Sequence, residues 1–80
     1  MSDYQQFLHE RDQIDYFISD GYRIKNITED LNGAIIQLEK LDRSNSLIEK
    51  QMLRIHTADG RKYFSVLLLE QLKMQHSSNS

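Results

Sequence analysis

The stretch Tyr22-Arg23-Ile24-Lys25-Asn26-Ile27-Thr28-Glu29-Asp30-Leu31-Asn32-Gly33-Ala34-Ile35-Ile36-Gln37-Leu38 decides the fold. Tyr22 to Lys25 alternates apolar and polar side chains with the period of a strand. Asn32-Gly33 is a strong short-range signal for a β-hairpin, because both residues tolerate the positive φ of a tight turn. With Asn32 and Gly33 as a two-residue turn, Leu31 opposes Ala34 and Ile27 opposes Leu38. Ile27, Leu31, Ala34, Ile36 and Leu38 then share the face that meets the rest of the molecule. In this register Tyr22 and Ile24 fall on the other face. They stay there as a contact surface, or a bulge near Lys25-Asn26 returns them to the core.

Ahead of this hairpin the spacing is helical. Tyr4, Phe7, Leu8, Ile14, Phe17 and Ile18 recur at steps of three and four, which lines one side of a helix with apolar groups. Ser2 and Gln5 have the spacing of a capping box, and Gly21 stands where a left-handed residue would end the helix. Asp3, Glu10, Asp12, Asp15 and Asp20 outnumber the lone Arg11 between residues 2 and 20, so the helix reads as a solvated acidic face.

Beyond the hairpin, Asp42-Arg43-Ser44-Asn45-Ser46 is a polar connection. Met52 to Thr57 alternates again and leads into Asp59-Gly60, a second turn signal. Taking Asp59-Gly60 as a tight turn pairs Ile55 with Phe64 and Leu53 with Val66, and leaves Arg54, His56, Tyr63 and Ser65 on the opposite face. Ser65 is then the N-cap of a closing helix over Val66-Leu67-Leu68-Leu69-Glu70-Gln71-Leu72-Lys73-Met74, although the same residues could instead continue a strand. The expected architecture is α+β: an N-terminal helix, an antiparallel meander of three to four strands, and a C-terminal helix in a single domain over residues 1–76, with a flexible polar tail at 77–80.

Eighty residues place about 5,000 Å² of surface around one small core. The absence of cysteine rules out disulfides and thiolate chemistry. No apolar run reaches the roughly 18 residues of a membrane span, and Met1-Ser2-Asp3 lacks the basic start of a signal peptide, so a cytoplasmic protein without membrane attachment is expected. The net charge is −2, against the basic excess of a typical DNA binder. The charge is bipolar, because residues 41–80 carry a small basic surplus.

Few groups are spaced for catalysis. On a helix His9 and Asp12 are three apart while Glu10 points elsewhere, and no second histidine follows at the four-residue spacing of a metal pair. Ser44, Ser46 and Ser65 lack a histidine with an orienting carboxylate, and the three glycines stand singly, so neither a nucleophilic triad nor a phosphate loop is supported. The sequence therefore predicts no enzyme, no cofactor and no metal site. The closing helix is more informative. Val66, Leu67, Leu68, Leu69, Leu72 and Met74 spread over more than half of its circumference, more than one sheet face covers.

The leading expectation is thus a small regulatory or interaction protein that forms a homodimer or docks on a larger partner. Leu67, Leu69 and Met74 would supply apolar burial, Arg54 and Tyr63 the rim, and Tyr22 and Ile24 an extension of the patch. The alternative is a nucleic-acid-binding regulator using Arg54, His56, Arg61, Lys62 and Tyr63, with basic groups on phosphates and the ring on a base. The helix–three strands–helix order resembles that of double-stranded RNA-binding domains, but here only two adjacent basic residues precede the last helix, and the first helix is acidic.

Overall fold

The computed structural model describes residues 3–78, with side chains from Asp3 to Met74. Helix α1 (Asp3–Ser19) is followed by β1 (Arg23–Asp30), β2 (Gly33–Asp42), β3 (Leu47–Ile55) and helix α2 (Ala58–Ser78). The strands form one antiparallel sheet in the order β1-β2-β3. The fold is α+β, and the meander has three strands among the described residues. The Ser2 half of the expected capping box lies outside the described residues. So do Asn79 and Ser80 of the expected tail, whereas α2 continues through Ser78, past the boundary placed at residue 76.

α1 ends as its sequence suggests. Tyr22 N–H reaches back to the Phe17 carbonyl (2.9 Å) and Gly21 N–H to that of Ile18 (3.1 Å), the paired bonds of a Schellman cap. The hydrophobic contact that accompanies this motif is present too, as Phe17 and Tyr22 rings meet edge to face with centroids 5.1 Å apart.

The first hairpin departs from the expected turn by one residue. Asp30 pairs with Gly33, so Leu31-Asn32 forms the loop and Leu31 is fully exposed instead of facing the core. Two contacts favour this register. The Asp30 carboxylate accepts Asn32 N–H at 2.8 Å, closing an Asx turn over Leu31. Gly33 belongs to β2 at a φ of +131°, and a Cβ there would run into the Ile55 carbonyl oxygen of β3, so the glycine is needed by the sheet. Moving the turn by one residue shifts the pairing by two, which keeps Ile27, now opposite Ile36, on the inner face.

The register then slips between Ile24 and Asn26. Lys25 is the extra residue of a bulge, and its insertion swings Tyr22 and Ile24 inward, where both are buried. Of the two outcomes left open by the sequence, the core is the one realised. The inner face collects Ile24, Ala34, Ile36, Leu38 and Ile55 beneath Ile14 of α1 and Phe64 of α2.

The second correction is larger. Asp59-Gly60 does not turn between strands; it lies in the first turn of α2, which starts at Ala58, seven residues before the expected cap at Ser65. Thr57 is the N-cap, its Oγ1 accepting Gly60 N–H at 2.9 Å. Asp59 in the first turn suits the positive end of the helix dipole. Ser65 is an exposed mid-helix residue, and Phe64 packs from the helix and not from a strand opposite Ile55.

Candidate functional site

The two buried polar side chains among the described residues, Glu10 and Thr57, meet where α1 packs against the start of α2. Glu10 is only 3% exposed. Its Oε2 accepts His56 N–H at 2.7 Å, and its Oε1 accepts the Thr57 hydroxyl at 2.7 Å and Thr57 N–H at 3.4 Å. A buried carboxylate is costly unless donors surround it, and here the orphan donors at a helix N-terminus supply them. Gly60 makes the approach feasible. A Cβ there would collide with Glu10 Oε1 and stand 2.7 Å from Ile55 Cγ2 and 2.8 Å from Thr57 Oγ1. With both oxygens engaged and shielded, Glu10 acts as a remote cap on α2.

Other acids of α1 and its C-terminal edge also find partners. Asp15 accepts the Tyr63 hydroxyl, and this bond, with burial and the Asp15 charge, pushes the phenol up to about 12. Asp12 pairs with Arg11, and Asp20 with Lys40 at 2.9 Å. The Asp20 carboxylate, helped by Glu49, holds the Lys40 ammonium above the ordinary lysine range, while the amine also lies 5.0 Å above the Tyr22 ring. Of the acids expected as a solvated face, Glu10, Asp15 and Asp20 therefore tie distant segments together, whereas Asp12 pairs with its neighbour Arg11 and Asp3 is exposed.

The basic and aromatic residues of the nucleic-acid alternative are dispersed. Arg54 sits on the outer sheet face and pairs with Asp30 at 3.4 Å. The Asn32 N–H, then Arg54, hold the Asp30 carboxyl below the usual range. His56 is exposed, with Nδ1 3.1 Å from the Asn32 carbonyl oxygen; since a carbonyl only accepts, Nδ1 carries the proton there. Arg61 and Lys62 occupy the first turns of α2. Tyr63 faces α1, bonded to Asp15 and edge-on to Phe7, so its ring is not offered to a base.

The docking residues expected from sequence also divide. Tyr22 and Ile24 are core, and Leu67 packs half-buried against it. Leu69 and Met74 are exposed as expected, at 58% and 73%. Val66 (53%) and Leu72 (50%) join Leu69 on the outward side of α2, opposite the inward stripe of Gly60, Phe64, Leu67, Leu68 and Gln71. Assigning Phe64 to a strand concealed this division; one helix from residue 58 would have put Val66 and Leu69 opposite Phe64. Gln71 is a further residue that sequence reasoning missed. Its side-chain amide donates to the Ile24 carbonyl and accepts Ile24 N–H, both at 3.1 Å, so it ties α2 to the backbone of strand β1.

Met74 overlooks an open groove of about 620 Å³ between the end of α1 and α2, walled by Ile18, Tyr22, Leu67 and Gln71. A second, smaller apolar patch lies on the outer sheet face, where the exposed Leu41 and Ile48 are direct cross-strand partners. The folded surface, 6055 Å², exceeds the roughly 5,000 Å² expected of a chain this size. Among the described residues no group of three or more His, Asp or Glu is placed to hold a metal ion, and no helix is long and apolar enough to cross a membrane. Comparison with protein-family models, curated proteins and solved structures returns no match.

Proposed function

We propose that this chain is a non-enzymatic interaction module that docks through the outward face of α2, onto a second copy or a larger protein. One observation carries the reading. Val66, Leu69 and Leu72 each keep half or more of their surface in solvent on a helix whose opposite side already satisfies the core. Isolated exposed apolar residues are ordinary, but three within two turns of one helix face form a contiguous patch of the kind interfaces use. The α1 acids support the reading indirectly, because the carboxylates of Glu10 and Asp15 are engaged in holding the fold.

The test is binding of an apolar fluorescent dye to the native protein, with a Val66→Ser/Leu69→Ser variant as control. Dye binding by the wild type that the variant loses, with helix content unchanged, supports the reading. A wild type that neither binds dye nor associates with itself or another protein would refute it.

A further inference from the structure

The charges around the α2 patch have an order that points to its occupant. At 100° per residue, positions four and seven residues either side of Val66 return to its side of the helix. Those positions are Lys62 and Glu70 at four, and Asp59 and Lys73 at seven. The sign inverts across Val66 at both distances. All four side chains are exposed and none forms an ion pair with another described residue, even though Asp59–Lys62 and Glu70–Lys73 are each three apart on one helix.

An antiparallel copy of the same helix, related by a two-fold axis at Val66, sets residue 62 against residue 70 of the other chain and residue 59 against residue 73. Every one of those meetings is a cation against a carboxylate, and symmetry repeats each of them. Val66 and Leu69 from both chains then fill the centre, where burial supplies the affinity, and the charges fix direction and register. A parallel pairing, or an antiparallel one centred between Val66 and Leu69, would bring lysine against lysine.

We infer that the α2 patch is covered by a second copy of this chain, in an antiparallel two-fold helix pair centred on Val66. This rests on the docking reading above and names its partner. One helix pair is a small interface, of the size found in weak and transient complexes.

The test uses charge exchange read by sedimentation equilibrium between about 1 and 500 μM. Lys62→Glu places carboxylate against Glu70 of the other chain, and Glu70→Lys places ammonium against Lys62. Each variant alone should dimerise about tenfold more weakly than wild type, from two exposed pairs changing sign. Mixing the two should restore association to within about threefold of wild type, because every meeting is again opposite in sign. Val66→Lys should abolish the dimer while circular dichroism shows an intact fold. Wild type that stays monomeric at the highest concentration, or a dimer indifferent to these changes, overturns the inference. A monomer that still binds dye through Val66 and Leu69 overturns the self-pairing alone, whereas a monomer without dye binding removes the docking reading as well.

Discussion

The two helices use their side chains in opposite ways. α1 is the charged one, yet two of its acids act inward across the fold, Glu10 capping α2 and Asp15 holding Tyr63, and Asp20 just beyond its end binds Lys40. α2 is the greasy one, yet Val66, Leu69 and Leu72 face solvent. The difference teaches that residue type alone does not assign role. A carboxylate is structural when helix-end donors stand opposite it, and a leucine is available for recognition when the core beneath its helix is already full.

The strongest way to break this contrast is to remove the buried carboxylate. Glu10→Ala leaves the donors of His56 and Thr57 without their acceptor and opens a cavity. It should cost about 3 kcal/mol in denaturant unfolding, whereas Asp3→Ala on the same helix should shift stability by under about 0.5 kcal/mol. Gly60→Ala attacks the same contact from α2. Alanine favours a helix interior by about 1 kcal/mol, but its Cβ meets Glu10, Ile55 and Thr57, so we expect a net loss of about 2 kcal/mol in the same measurement. A variant more stable than wild type would show that α1 stands off from α2.

Tyr63→Phe sharpens the comparison through pH. It should cost about 1 kcal/mol at neutral pH. The native phenol titrates near 12 and the unfolded one near 10, so the native state holds the extra proton between them. The contribution is complete below pH 10 and lost as pH rises towards 12. Stability of wild type relative to Tyr63→Phe should therefore fall across that window, and a pH-independent difference would contradict the Asp15 bond. The smallest effect belongs to α2. Leu69→Ser should change unfolding free energy by under about 0.5 kcal/mol while removing dye binding, and a loss above about 2 kcal/mol would mean the residue is part of the core.

Local chemistry made much of the fold legible. The helical spacing of Tyr4 to Ile18, the cap at Gly21 and the polar loop at residues 43–46 correspond to observed elements because each depends on neighbours close in the chain. The same locality explains the errors. Asn32-Gly33 is a strong turn signal, but Gly33 is needed where β2 meets the Ile55 carbonyl, a requirement set 22 residues away. Asp59-Gly60 has the same dipeptide logic, but the Glu10 carboxylate, 47 residues ahead of the Thr57 cap it bonds, makes it the opening of a helix. Of the expected docking residues, Leu69 and Met74 are on the surface, whereas Tyr22 and Ile24 went inside once one bulged residue reversed their facing.

By itself the sequence determined an α+β order of elements, the end of α1, and an excess of apolar groups in the last helix, all consequences of periodicity and short-range hydrogen bonding. Only the tertiary structure decided which apolar groups remain outside, that Glu10 starts α2, and that Asp15 fastens α1 to Tyr63. Burial and donor–acceptor pairing between distant segments are properties of the assembled chain, and no local pattern encodes which segment will arrive opposite which.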